Sequence, residues 1–220
     1  MRCSTILVLS ALSAVTLAAP APKPSVWRTG WDRPVDPSRD CRFDYDGDKL
    51  TITVPGKNHG LDVMGNRLNA PHLLREVRGD FDIQIRVSEN FRPAGNEGYH
   101  RAGLLLMYEK TVLRVQRTAS LAEKEKDWRL YIGMNSLGGK GGLTDVNPNP
   151  PVGIPAYLRV ERRGHRFEVS SSEDGKKWTQ RCLTGYKLPE AIKVGVVAEA
   201  TADGEFKVEF DQFKLSRPGK

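Results

Sequence analysis

Phe81-Asp82-Ile83-Gln84-Ile85-Arg86-Val87 decides the fold. Apolar and polar residues alternate without a break across all seven positions. A strand turns successive side chains to opposite faces, so one face carries Phe81, Ile83, Ile85 and Val87 and the other Asp82, Gln84 and Arg86. A helix would scatter the same four apolar groups around its axis. Working outward, the period of two recurs. Lys49 to Val54 places Leu50, Ile52 and Val54 on one side. Trp128, Leu130, Ile132 and Met134 alternate with Arg129, Tyr131 and Gly133. Leu158 and Val160 alternate with Arg159 and Glu161, and Phe206, Val208 and Phe210 with Lys207 and Glu209. Leu104 to Met107 and Val194 to Val197 are near-continuous apolar runs, the pattern of strands buried on both faces.

Turn formers separate these runs: Asp46-Gly47-Asp48, Arg78-Gly79-Asp80, Arg163-Gly164-His165, Glu173-Asp174-Gly175 and Ala202-Asp203-Gly204. Asp-Gly between alternating strands is a hairpin signal. Many short strands with regular turns predict an all-β sandwich or jelly roll. The one helical candidate is the short stretch Ser120 to Lys126. Two loops interrupt the pattern, Arg92 to His100 and the Gly- and Pro-rich Asn135 to Pro155. A loop of the latter length inside a compact domain is either functional or disordered.

The chain has 220 residues, 39% of them hydrophobic and 28% charged, which excludes a disordered tail, a coiled coil and a polytopic membrane protein. Residues 1–21 have the anatomy of a secretory signal peptide: Arg2, an apolar run from Ile6 to Leu17, then Ala18, Ala19 and Ala21. The run is shorter than the ~20 residues a spanning helix needs, so no transmembrane segment is expected after cleavage. The destination is the cell envelope, the periplasm or the medium. Losing Arg2 lowers the formal charge from +7 to +6. The basic residues are spread, and a basic exported protein suits a glycan or an anionic cell-surface polymer as partner. No nucleic-acid reader motif is present, so no nucleic-acid partner is expected. Residues 22–40 read as a Pro-rich linker, 41–216 as the sandwich and 217–220 as a tail.

Cys3 leaves with the signal peptide, and Cys41 and Cys182 remain. In an oxidising compartment they are a candidate disulfide, the alternative being two buried free thiols. Closing so long a loop is worth about 4–5 kcal/mol in the chain-entropy account.

Several pieces, in their order, resemble a concanavalin A-like domain family named after the yeast "regulation of enolase" protein, otherwise a family of unknown function. They are Asp36-Pro37-Ser38-Arg39-Asp40-Cys41, Lys49 to Gly56, Asn69-Ala70-Pro71, Leu74-Arg75-Glu76-Val77 and Gly79-Asp80-Phe81. Ala102 to Leu106, Leu158 to Arg162 and Ser172 to Trp178 continue the series. The resemblance spans residues 36 to 216 and implies a two-sheet antiparallel jelly roll in a bacterial, exported protein. It implies no activity.

Catalytic sets are sparse. Retaining glycosidases hold two carboxylates about 5–5.5 Å apart. Close alternating acidic pairs include Asp80/Asp82 beside a turn and Glu123/Glu125 in a charged run, while Glu205 and Glu209 flank an amphipathic strand. No Gly-x-Ser-x-Gly elbow occurs. His59, His72, His100 and His165 show no metal-ligand spacing, so no metal site is expected from them. Gly138 to Gly142 lacks the ending of a phosphate loop. Calcium enters only through the crowding of Asp36, Asp40, Asp44, Asp46 and Asp48. That spacing does not reproduce an EF-hand, and such Asp residues also form turns. Ser172-Glu173-Asp174-Gly175-Lys176-Lys177-Trp178 reads as a self-bonded hairpin over a packed Trp178.

Binding is the remaining chemistry. Arg114, Gln116, Arg129, Tyr131, Arg159 and Glu161 are the outward residues of central strands. They are expected to line one concave sheet face, with His100, Arg101 and the 135–155 loop at its rim. The resulting expectation is a secreted, non-catalytic module for carbohydrate or a cell-surface polymer. A hydrolase with an unrecognised acidic pair and an envelope protein-interaction module are the alternatives.

Overall fold

The computed structural model describes residues 26–62, 67–88, 98–109, 111–120, 129–136, 141–145 and 156–217, with the backbone alone for 67, 120, 129–136, 141–145, 183 and 184. The signal segment, the 217–220 tail beyond Arg217, nearly all of the helical candidate at 120–126 and most of the 135–155 and 92–100 loops lie outside them.

The described elements are all strands. They are β1 (Arg42–Asp46), β2 (Lys49–Val54), β3 (Leu61–Asp62), β4 (Arg67–Leu68), β5 (His72–Arg78), β6 (Phe81–Val87), β7 (Tyr99–Tyr108) and β8 (Thr111–Ser120). There follow β9 (Arg129–Ser136), β10 (Gly141–Asp145), β11 (Ala156–Arg163), β12 (Arg166–Ser172), β13 (Thr179–Gly185), β14 (Ala191–Ala200) and β15 (Phe206–Ser216). Seven form one antiparallel sheet in the order β1-β2-β15-β6-β11-β12-β13. Six form the other, β10-β9-β8-β7-β14-β5, and β3-β4 is a separate hairpin. This is a two-sheet antiparallel jelly roll of the concanavalin A-like kind.

β6 lies in the middle of the seven-stranded sheet, and its side chains alternate buried and half-buried as the sequence pattern predicts. Phe81, Ile83, Ile85 and Val87 are at most 1% exposed and meet Leu104, Leu106, Val115, Val194 and Val196 from the facing sheet. Each such side chain contributes roughly 1.5–3 kcal/mol by leaving water, enough for one core to hold both layers.

Turn residues have two different outcomes. Asp46-Gly47-Asp48-Lys49 and Arg163-Gly164-His165-Arg166 close true hairpins, with Gly47 and Gly164 at φ +54° and +58°. Gly79 and Gly204 instead sit in connections that cross from one sheet to the other, β5 to β6 and β14 to β15.

Residues 26–40, expected as a linker, pack onto the sandwich. Trp27 is 2% exposed, and its Nε1 donates to Asp48 O at 2.9 Å. Asp32 N donates to Leu74 O, and Val35 bridges to His72. A bulge in β15 between Asp211 and Lys214 bends that strand, and its Phe213 lies 5.1 and 4.9 Å from the Trp27 and Trp31 rings.

The predicted Cys41–Cys182 bridge does not form. Cys41 abuts β1 at one edge of the seven-stranded sheet and Cys182 lies in β13 at the other. Six strand spacings put them roughly 25–30 Å apart. A disulfide requires Cα atoms within about 7 Å.

Candidate functional site

The outer face of the six-stranded sheet is assembled by register. Glu199 of β14 stands beside Arg101 of β7, which stands beside Thr118 of β8 and then Arg129 of β9. The next row runs Val197, Gly103, Gln116, Tyr131, and the row after it Gly195, Leu105, Arg114, Gly133. Five of the eight predicted site residues therefore fall on three adjacent strands: Arg101, Arg114 and Gln116 share one face, and Arg129 and Tyr131 stand opposite Thr118 and Gln116 in the register. The side chains of Arg129 and Tyr131 lie outside the described residues.

The other three belong elsewhere. His100 points into the core, 1% exposed, and its ring stacks on Phe206 at 4.4 Å. It sits one residue from Arg101, and successive strand residues face opposite ways. Burial alone pushes its pKa down to about 4, so it is a neutral core histidine rather than a rim group. Arg159 and Glu161 are in β11, on the outside of the seven-stranded sheet. There Arg159 pairs with Asp82 and Glu161, with its guanidinium 5.7 Å from the Trp178 ring. Equal hydropathic patterns placed these strands together in the sequence reading, but the patterns do not encode which sheet each joins.

The face is also less open than expected. The β3–β4 hairpin lies across part of it, and Leu61 packs with Leu74, Leu105, Val112 and Val197. Beside this patch Glu199 is wholly buried. Its Oε1 accepts from Gln116 Nε2 at 2.6 Å, and its Oε2 accepts from Leu61 N at 3.0 Å. Arg114 Nη1 is 3.7 Å from Glu199 Oε1 and donates to Leu61 O at 3.3 Å. Arg114 and Gln116, expected as exposed ligand contacts, are 5% and 0% exposed. They form a buried floor that ties the hairpin to the sheet. A buried carboxylate is stable only when paired and hydrogen-bonded in this way.

Glu199 was missed in the sequence. Its signal was there: one acid inside the otherwise apolar run Val194-Gly195-Val196-Val197-Ala198-Glu199-Ala200. Among the described residues of β5, β7, β8 and β14, the other carboxylate is Glu76, which pairs opposite Lys193. Six residues along the strand separate Lys193 from Glu199, about 20 Å, well beyond the spacing of a glycosidase pair. At the end of the floor Arg101 is half-buried, its guanidinium 3.7 Å from the centre of the Tyr99 ring. That stack leaves an aromatic edge and a planar cation together, the combination that meets sugar rings and hydroxyls.

The Ser172–Trp178 stretch forms the expected hairpin. Ser172 Oγ accepts from Gly175 N at 2.9 Å, and Asp174 Oδ1 accepts from Lys176 N and Lys177 N at 2.8 Å each. Those backbone donors lower the Asp174 pKa to about 2. Two of the Asp residues considered for calcium are engaged in local contacts. Asp36 accepts from Arg39 N and Cys41 N, and Asp44 pairs with Arg42.

Comparison with known proteins agrees with the fold. A family described as "Protein of unknown function (DUF1349)" matches residues 145–218. No curated protein matches the chain. A functionally unknown protein from Saccharomyces cerevisiae aligns at 18% identity over 86% of this chain and 96% of that one, with a TM-score of 0.66. The carbohydrate binding module CBM66 from Bacillus subtilis aligns at 11% identity over 86% of this chain and 96% of that one, with a TM-score of 0.50. The Bacteroides ovatus xyloglucan protein GH43B aligns at 13% identity with a TM-score of 0.58, over 80% of this chain but only 34% of its own length. Identities this low establish a shared fold and nothing finer.

Proposed function

We propose that the protein is an exported, non-catalytic β-sandwich that binds carbohydrate, including anionic cell-surface polymers, on the outer face of its six-stranded sheet. The observation that carries this is the rigid polar floor of Glu199, Gln116 and Arg114 running up to Arg101 stacked on Tyr99. A floor whose buried carboxylate is already bonded by Gln116 and Leu61 N and faces Arg114 holds its rim residues in place, so ligand contacts form at a reduced ordering cost. The likeness to a carbohydrate binding module supports the reading. So does GH43B, where the matched part is about a third of the chain. The apolar run and small residues of 1–21 support export.

The test is a glycan array followed by calorimetry with Arg101→Ala. The wild-type protein is expected to bind a defined set of glycans, and Arg101→Ala to weaken that binding at least about tenfold, the loss of 1.4 kcal/mol. A folded wild type that binds no glycan overturns the reading. Release of reducing sugar from a polysaccharide panel overturns its non-catalytic part.

A further inference from the structure

Away from that face, Asp40, Cys41 and His59 come together from two separate turns. A carboxylate oxygen, Cys41 Sγ and a ring nitrogen of His59 all lie within 4.8 Å of one another. His59 Nε2 is 2.9 Å from Asp40 Oδ1, and Cys41 Sγ is 3.6 Å from the same oxygen. A tetrahedral zinc ion with bonds of about 2.0–2.3 Å needs its ligand atoms about 3.3–3.8 Å apart. The three atoms would therefore shift by no more than about 1 Å to take one.

The orientation of His59 is the second observation. The ring is buried, and Nδ1 lies 2.8 Å from Gly56 O and 3.1 Å from Lys57 O. Nδ1–H donates to those carbonyls, which leaves Nε2 as the ring atom that faces Asp40 and Cys41. Metal-binding histidines are oriented by this kind of outer hydrogen bond. With Nδ1–H used in this way, Nε2 meets the Asp40 carboxylate either through a proton, as an imidazolium ion pair, or through a metal ion that takes that proton's place.

Both turns are held from behind. Asp36 carboxylate oxygens accept from Arg39 N at 3.0 Å and Cys41 N at 2.8 Å. His59 exchanges both backbone hydrogen bonds with Ala200 at 3.0 Å. The residues just before two of the ligands, Arg39 and Asn58, hold φ of +60° and +77°, a left-handed conformation that non-glycine residues adopt only where the surroundings impose it.

We propose that Asp40, Cys41 and His59 bind one divalent ion of the zinc class, with a fourth position open to water or an incoming ligand. One thiolate, one imidazole and one carboxylate suit zinc or cobalt and not calcium or magnesium, which take oxygen ligands in greater number. The site would fasten the 36–41 turn to His59, two residues before Leu61 and the hairpin that lies over Glu199.

Cobalt(II) titration of the full-length protein tests this directly. One equivalent should produce a thiolate-to-cobalt charge-transfer band that zinc displaces and calcium does not. Cys41→Ser should abolish the band, while Cys182→Ser retains it. Asp40→Asn at its exposed position should weaken zinc binding at least about 100-fold in competition with a chelator, the upper range for loss of an outer-shell partner alone. Absence of the band in folded protein, or its persistence in Cys41→Ser, overturns the proposal. Glycan binding is read separately, so failure here leaves the sugar reading standing, and the converse holds.

Discussion

The two sheets of this sandwich present opposite outer faces. On the seven-stranded sheet the outer side is wet, and Arg159 there is about 29% exposed among Asp82 and Glu161. On the six-stranded sheet the same every-other-residue rule yields, among the described side chains, a stretch of outer side that is buried. Leu105 and Val197 sit beneath the β3–β4 hairpin, and Glu199, Gln116 and Arg114 are sealed beside them. Alternation tells which residues leave the core between the sheets. It does not tell what awaits them on the far side. A short hairpin, here Leu61–Asp62 with Arg67–Leu68, converts a solvated face into a second small core.

The comparison can be broken most forcefully at its buried charge. Glu199→Ala leaves Leu61 N and Gln116 Nε2 without this acceptor and Arg114 without its carboxylate. The expected cost is about 3–5 kcal/mol, the range for breaking a buried pair from one side. Urea unfolding measures it, and a loss under 1 kcal/mol would mean that the floor is not a unit.

A second, smaller effect separates core from face at adjacent residues. His100 is neutral in the folded protein, with its pKa lowered by burial from 6.5 to about 4. The unfolded chain therefore binds more protons between those values. Stability should be complete above about pH 6.5, fall as pH drops toward 4, and level off below. His100→Phe, which keeps a ring against Phe206, should flatten that part of the stability–pH curve. An unchanged curve would show that the window belongs to other groups.

The smallest effect is expected on the wet face. Arg159→Ala removes a partly exposed ion-pair network, and such networks contribute about 1 kcal/mol or less and fade with salt. Unfolding at low and high ionic strength checks this. A loss as large as that of Glu199→Ala would erase the difference between the two faces.

Much of the fold was legible because it rests on short-range rules. The period of two in β6, β2, β11 and β15 marked the residues that became the core. The continuous runs in β7 and β14 announced strands covered on both sides before the cover was known. The Ser172–Trp178 hairpin is bonded within itself, so its seven residues carried the whole instruction.

The candidate site was legible only in part. Arg114 and Gln116 were named from alternation and Arg101 as a rim residue, and the three share a face. His100 lost its place through strand parity, and Arg159 with Glu161 through sheet membership. Asp-Gly and Gly-Asp turns mark a reversal of the chain, but Gly47 returns it within a sheet and Gly79 sends it across to the other. Neither distinction is a property of the local residues.

The sequence alone determined that the chain is all-β, which side chains face inward, and where it reverses. Those outcomes follow from steric and hydropathic preferences acting over two to seven residues. The tertiary structure alone decided that Glu199 is buried under the hairpin, that Cys41 and Cys182 end at opposite edges of one sheet, and that His59 meets Asp40 and Cys41. Each of these depends on strand order and register between separate segments, as in the bond from Leu61 to Glu199 across 138 residues. Contacts at that separation are set by the packing of the whole sandwich, which no window of sequence contains.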